Sequence, residues 1–207
     1  MNNVLILGAH GSIARVAIDE LLENTDAKLT LFLRDASRLG HLASDRVRVV
    51  EGDVLDLDRL RAVVAGHDLV YANLAGELER EAQNVVAAMR EANVRRLVWI
   101  SSMGIYDEAG EKFGSVLDPY RKSAAIIEAS HLDYTVLRPA WLTDDDDIDY
   151  LTTGKGEAFI GRTVSRKSVA DLIVRLVNSP RLAVRTSLGL GKPAPRRSAR
   201  YFEQRAA

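Results

Sequence analysis

The run Gly8-Ala9-His10-Gly11-Ser12-Ile13-Ala14-Arg15 narrows the choice of fold more than any other stretch of this chain. It follows the apolar residues Val4, Leu5, Ile6 and Leu7. It then opens a segment in which Ile13, Val16, Ala17 and Leu21 share one helical stripe, with Asp19, Glu20 and Glu23 opposite. A glycine at a strand end permits a sharp turn, and a second lets the backbone approach a ligand. A small residue three positions on keeps helix and sheet close. The N–H groups and partial positive charge at a helix N-terminus suit a pyrophosphate. Gly8, Gly11, Ser12, Ile13, Ala14 and Arg15 are therefore candidate cofactor-binding residues, and His10 joins them as a candidate phosphate contact.

The remainder of the chain repeats this strand-to-helix rhythm. Nearly unbroken apolar runs at 4–7, 28–33, 47–50, 68–72, 97–100 and 134–137 read as strands covered on both faces. Amphipathic stretches at 12–23, 57–65, 77–91, 119–130 and 168–178 read as the intervening helices. Such alternation implies right-handed crossovers, and so an α/β fold: a doubly wound, Rossmann-like parallel sheet with helices on both faces. The expected organisation is a nucleotide-binding domain over 1–180, with 139–165 as a substrate-side loop segment. The stretch 181–207 is rich in Arg and is expected to form a basic C-terminal extension. Asp144, Asp145, Asp146, Asp147 and Asp149 read as a solvated acidic loop that offsets it.

Charge and cysteine content exclude several functions. The chain has 207 residues with 28 Lys and Arg against 29 Asp and Glu, a formal net charge of −1, which argues against a nucleic-acid binder. It has no Cys, which excludes disulfides, thiolate metal sites and a Cys nucleophile. No His or carboxylate cluster has metal-ligand spacing, so no metal is expected. No Gly-x-Ser-x-Gly elbow is present. No run of 18 apolar residues occurs, so the expectation is a soluble, cytoplasmic protein that spans no membrane and works as a monomer or homodimer on a small molecule.

The end of the second strand bears on the type of dinucleotide. An acid there would hold the ribose hydroxyls of NAD, and an Arg would meet the 2′-phosphate of NADP. Arg34 stands at that place with Arg38 one turn on, so NADP is favoured, with NAD as the other option that Asp35 leaves open.

Gly8–Arg15, Arg34-Asp35, Gly52-Asp53-Val54 and Asn73-Leu74-Ala75-Gly76 together resemble the short-chain dehydrogenase/reductases. The later run Tyr134-Thr135-Val136-Leu137-Arg138-Pro139-Ala140-Trp141 is similar to the atypical, NmrA-like NAD(P)-binding branch, with a pattern also related to biliverdin-IX-beta/flavin reductases. That resemblance implies that Asp53 and Val54 lie at the adenine, and that Asn73, Leu74 and Ala75 line the cofactor. It places Pro139, Ala140, Trp141 and Leu142 near the nicotinamide, with Ser101 close by. On the residues alone, Asp53 can also be a strand-end cap.

The same resemblance assigns catalytic roles. Ser102 falls on the hydroxyl that orients a substrate carbonyl, and Tyr120 on the proton donor of a Tyr-x-x-x-Lys pair. The Lys position holds Ala124, while Lys122 is two residues after Tyr120, about 200° around a helix. A Tyr titrating near 10 needs such a Lys to work at neutral pH. The expected function is therefore NADPH-dependent hydride transfer to a small flavin-, quinone- or carbonyl-type acceptor, the first two depending least on a protein acid. The alternative is a non-catalytic redox sensor that acts through a protein partner.

Overall fold

The computed structural model describes residues 2–110 and 113–194. Its strands are β1 (Asn3–Leu7), β2 (Lys28–Leu33), β3 (Val47–Glu51), β4 (Leu69–Ala72), β5 (Arg96–Ile100), β6 (Asp133–Pro139), β7 (Trp141–Thr143), β8 (Leu151–Thr153), β9 (Thr163–Ser165) and β10 (Thr186–Gly191). The helices are α1 (Ser12–Asn24), α2 (Leu57–Val64), α3 (Leu78–Glu91), α4 (Asp118–Ala129) and α5 (Arg166–Asn178). Eight strands form one sheet in the order β3-β2-β1-β4-β5-β6-β10-β8. All neighbours run parallel except β8, which pairs antiparallel with β10. The expected doubly wound α/β sheet is present. Among the described residues no helix is long and apolar enough to cross a membrane.

The continuous hydrophobicity of the strands follows from burial on both faces. In β1, Val4 and Ile6 belong to the core under α1 and α5, whereas Leu5 and Leu7 belong to the core that includes α2 and α3. Alternate side chains thus feed opposite layers, and Val4, Leu5, Ile6 and Leu7 are all fully buried. Trp99 of β5 is fully buried in the second core.

The region after Pro139 departs from expectation. Residues 139–165 are not only loop, because β7 and β9 pair as a small parallel sheet and β8 extends the main one. The presumed basic extension contributes β10, inserted between β6 and β8, so the domain continues past residue 180. Its sequence, Thr-Ser-Leu-Gly-Leu-Gly, hid this role. A Cβ at Gly189 would lie 2.6 Å from the Phe159 ring, and one at Gly191 would lie 1.8 Å from the Ile160 carbonyl oxygen. Close packing selected glycine where a central strand ordinarily shows Val or Ile. The arginines at 196, 197, 200 and 205 lie outside the described residues.

The acidic loop is also more structured than its composition suggests. Asp144 pairs with Arg166 at 2.7 Å, Asp146 with Lys167 at 2.6 Å, and Asp147 with Lys192. The Ser165 hydroxyl caps α5 by accepting the Ser168 N–H at 2.9 Å and donates to the Asp147 carbonyl at 2.6 Å.

One charge lies at the centre of this region. Arg138 of β6 is fully buried and ion-pairs with the buried Glu108 carboxylate. It also donates to Ser187 Oγ at 3.1 Å and to the Gly154 carbonyl at 3.1 Å, and lies 5.0 Å from the Tyr106 ring centroid. Glu108 in turn accepts the N–H groups of Gly104 at 3.1 Å and Tyr106 at 2.9 Å. Removing one partner of such a pair strands a charge in a low dielectric. Glu108→Gln is therefore expected to lower stability by about 3–5 kcal/mol in urea denaturation. The double variant Glu108→Leu, Arg138→Met should lose far less; equal losses for the two proteins would contradict this account.

Candidate functional site

A crevice of about 590 Å³ opens at the C-terminal ends of β1 to β4. This is the switch point of the sheet, where the chain has run outward through β2 and β3 and returns to add β4 on the other side of β1. Open α/β sheets bind ligands at that place, because the diverging loops leave a gap there.

The turn after β1 forms its floor. Gly8 has φ +72°, and a Cβ on it would lie 2.2 Å from the Asn73 carbonyl oxygen. A Cβ on Gly11 would lie 1.8 Å from Asn73 Nδ2. Both glycines thus make room first for the end of β4; the approach expected of Gly11 toward a ligand is shared with the Asn73 amide. Gly11 is the N-cap of α1, and no side chain caps the first turn. Ile13 and Ala14 are buried in the core below, while Ser12 and Arg15 are exposed. These four line no wall of the crevice with their side chains; what the helix start offers a phosphate is the backbone N–H groups of Ser12, Ile13 and Ala14, since that of Arg15 is bonded to the Gly11 carbonyl at 3.0 Å.

Ten of the residues expected at the cofactor do line the crevice: Gly8, His10 and Gly11 on β1–α1, Arg34 and Arg38 after β2, Asp53 and Val54 after β3, and Asn73, Leu74 and Ala75 after β4. At the β2 end, Asp35 is held locally. It accepts from Ser37 N at 3.2 Å and Ser37 Oγ at 2.6 Å, and pairs with Arg38 at 3.2 Å. These hydrogen bonds, from Ser37 and then Arg38, hold its carboxyl below the ordinary carboxylate value. Asp35 is therefore occupied as a turn cap, while Arg34 beside it is exposed and makes no salt bridge among the described residues. Asp53 also acts as a local cap, its Oδ1 accepting the Leu55 N–H at 2.9 Å. Asn84 of α3 donates to the Val54 carbonyl at 3.0 Å and fastens this loop to the helix.

Sequence reasoning missed Glu81. It lies on the buried stripe of α3 with Leu78, Ala82, Val85, Ala88 and Met89, is 7% exposed, and lines the crevice. Its Oε2 has no hydrogen-bond partner. Burial, reinforced by Asp53, opposed by Arg34 and reinforced again by Glu77, pushes its carboxyl up to about 7. The signal was present in the sequence: an acid on the apolar stripe of an amphipathic helix.

The ends of β5 and β6 form a second locus outside the lining of the crevice. Ser101 is buried, its N–H bonded to the Leu137 carbonyl at 2.7 Å and its hydroxyl unpartnered. Ser102 is half-buried and donates to the Met103 carbonyl at 3.1 Å. Met103 N–H reaches the Pro139 carbonyl at 3.2 Å, which draws the serine loop against the end of β6. Pro139 and Ala140 are buried, Leu142 is half-buried, and Trp141 is 59% exposed. The Trp141 ring lies 6.4 Å from that of Phe113, tilted by 57°. Phe113 itself fills the space beside Gly104, two residues beyond Ser102.

Tyr120 is half-buried against the small cluster of Ile105, Leu117 and Ala124. Ala124, at the expected Lys position, is fully buried. Lys122 is exposed and pairs with Glu79 at 2.9 Å, so no ammonium stands over the Tyr120 ring from that position. Glu128 takes the Tyr106 hydroxyl and Lys155 instead, the latter at 2.7 Å. His67 is structural, bonded to Thr30 Oγ1 at 2.9 Å and to the Val64 carbonyl at 3.2 Å. Among the described residues no group of three His, Asp or Glu is arranged to hold a metal ion.

The carboxyl of Glu81 should make stability depend on pH. Its folded value near 7 lies above the ordinary 4.5, so the folded state keeps a proton that the unfolded chain has released between those values. Stability from this group is thus present below pH 4.5 and is lost as pH rises toward 7. Glu81→Gln is expected to exceed the parent by roughly 2–3 kcal/mol at pH 8 and to match it at pH 4. Denaturation curves at the two pH values check this, and a gain that is the same at both would count against it.

Comparison with known proteins agrees with this geometry. Residues 8–180 match the model of a family described as NAD(P)H-binding. A Rossmann-fold NAD(P)-binding family protein from Shigella flexneri is 42% identical, with a TM-score of 0.86 and coverage of 94% of this chain and 95% of that one. A short-chain dehydrogenase/reductase from Veillonella parvula DSM 2008, solved in complex with NADP, is 28% identical with a TM-score of 0.85, covering 93% and 95%. Cinnamoyl-CoA reductase 1 of Petunia hybrida is 31% identical over 132 residues, 56% of this chain and 40% of that protein. The chain therefore spans less than half the length of this curated relative. With its phosphate turn, switch-point crevice and match over residues 8–180, this chain belongs to the NAD(P)H-binding Rossmann-fold family.

Proposed function

We propose that this protein is an NADPH-dependent oxidoreductase that passes hydride to a planar flavin- or quinone-type acceptor. The observation that carries the reading is the pairing of an exposed aromatic surface with an unassembled proton relay. Trp141 offers an exposed ring face next to the Ser102 loop, backed by the half-buried Phe113 ring, whereas Ala124 stands where a Tyr120 partner would be needed. When bound, the nicotinamide supplies the hydride. The chain binds the dinucleotide through the β1–α1 turn, and Arg34 attracts a 2′-phosphate. The Ser102 hydroxyl leaves the Met103 carbonyl to meet the acceptor, and the Trp141 ring orients it by stacking. A flavin or quinone takes its proton from solvent, so a missing Lys does little harm; a simple ketone develops an alkoxide that needs a placed acid. The NADP complex of the Veillonella relative supports the choice of NADP, and the relative named as a reductase supports reductive chemistry.

A screen of NADPH oxidation with ketones, quinones, flavins and linear tetrapyrroles tests the reading. Turnover is expected with quinones or flavins, and Trp141→Ala should lower kcat/KM about tenfold, the equivalent of ~1.4 kcal/mol of stacking. Turnover confined to ketones would reject the acceptor class. Tight NADPH binding with no oxidation by any acceptor would favour the redox-sensor alternative.

The choice of dinucleotide has its own test. Arg34→Asp is expected to weaken NADPH at least about tenfold while changing NADH little, because a charge-assisted contact to phosphate is replaced by repulsion. Fluorescence titrations with both dinucleotides decide it, and equal losses for the two would remove Arg34 from the role.

A further inference from the structure

We propose that residues 195–207 dock back onto the exposed apolar surface at the C-terminal end of β10, with Tyr201 and Phe202 against the Trp141 ring and the arginines over the Asp144–Asp149 loop. The contact shares Trp141 with the acceptor proposed above but does not rest on that reading.

Among the described residues six large apolar side chains are exposed, and four of them, Trp141, Ile148, Leu151 and Ile160, fall within 141–160. All four border the place where the described chain leaves the fold. The Lys192 N–H reaches the Thr163 carbonyl at 2.7 Å, and Thr163 is the register partner of Trp141. The Lys192 backbone therefore stands within two strand spacings, ~10 Å, of Trp141. Leu151 is the register partner of Gly191 across β8 and β10, and the Ile160 carbonyl takes the space of the missing Gly191 Cβ. Ile148 follows Asp147, whose carboxylate pairs with Lys192. A cluster of apolar side chains left in water forgoes the gain of burial, which single exposed ones do too, but a cluster can be covered by one partner.

Charge and reach identify that partner. Three cations, Arg166, Lys167 and Lys192, pair with Asp144, Asp146 and Asp147, while Asp145 and Asp149 form no salt bridge among the described residues. Glu20 and Glu23 of α1 extend the negative field by acting on Lys167. Residues 195–207 carry Arg196, Arg197, Arg200 and Arg205 against the one acid Glu203. They begin three positions after Lys192, inside this field, so the arginines meet the loop at a high effective concentration. Tyr201 and Phe202 are the large apolar side chains of the segment. The chain from Lys192 to Tyr201 can extend up to ~30 Å, well beyond the distance to Trp141. A second copy seated face to face would bring two carboxylate loops together, which like charges oppose.

Quenching of tryptophan fluorescence by acrylamide tests the contact. The chain has two tryptophans, of which Trp99 is fully buried and Trp141 is exposed, so the quenching constant reads Trp141. Covering one of the two indole faces halves its access, so ending the chain after Ala194 should raise the constant about twofold. Tyr201→Ala with Phe202→Ala in the 207-residue chain should reproduce the rise, and high salt should move the parent in the same direction by screening the arginines. Equal constants for the parent and the shortened chain overturn the proposal. So does a parent constant that salt leaves unchanged, or a rise on shortening that the double substitution does not reproduce. Shielding that fades on dilution of the parent assigns the surface to a second copy and rejects the intramolecular contact. The double substitution changes no residue of the described fold, so it decides the matter if the shortened chain fails to fold. Neither NADPH nor an acceptor is present, so failure of hydride transfer and failure of this contact are separate results.

Discussion

The contact of Asn73 with Gly8 and Gly11 is the constraint on which the cofactor side of the molecule depends. A backbone carbonyl and a side-chain amide from the end of β4 occupy the space of two missing Cβ atoms in the turn after β1. This seats the start of α1 directly over the sheet, and the parallel pairing of β1 with both β2 and β4 then fixes where every other wall of the crevice stands. Any side chain at position 8 would meet both a positive φ and a clash with backbone. The same glycines that admit Asn73 leave the first turn of α1 without a side-chain cap.

The side of the sheet beyond β5 is held by different physics. Arg138 emerges from β6 into a dry interior and gathers β10, the strand end at Thr153–Gly154 and the loop after β5 around one charge. Buried ion pairs seldom add net stability over an apolar replacement, but they fix geometry, because every donor must find its acceptor. Glu108 shows the consequence. Its carboxylate holds Arg138 and also two N–H groups of the loop that carries Ser102. The loop after the candidate hydroxyl is therefore held by a charge that never touches it, while backbone bonds to β6 hold Ser101 and Met103 on either side.

Elements covered on both faces were legible from sequence, since burial on two sides forces unbroken hydrophobicity; β1 to β6 and all five helices fall close to their expected positions. The short strands after Pro139 were not. β10 carries glycines at 189 and 191 because Phe159 and Ile160 crowd it, and that crowding is tertiary information. At the site, the glycines and the strand-end Arg34 could be read because local backbone chemistry demands them. Whether Asp53 capped a loop or faced a ligand could not be read, because both uses place the same residue at the same strand end. Glu81 was readable in principle, as a charge on an apolar stripe. Only the fold, however, shows that this stripe ends at the crevice and not in the core.

The near-zero net charge conceals a dipolar crevice. Arg34 stands at one wall, with Glu77, Glu81 and Asp53 at the other, and the uncapped N-terminus of α1 between them. An anion alone would satisfy the first and third of these and leave the carboxylates repelling one another. A base alone would meet the carboxylates and leave the arginine unused. A ligand that is anionic in its middle and at one branch suits the arginine and the helix start together. The raised carboxyl of Glu81 is the mark of that incomplete balance in the protein by itself. The free protein is correspondingly less stable than its packing alone would allow.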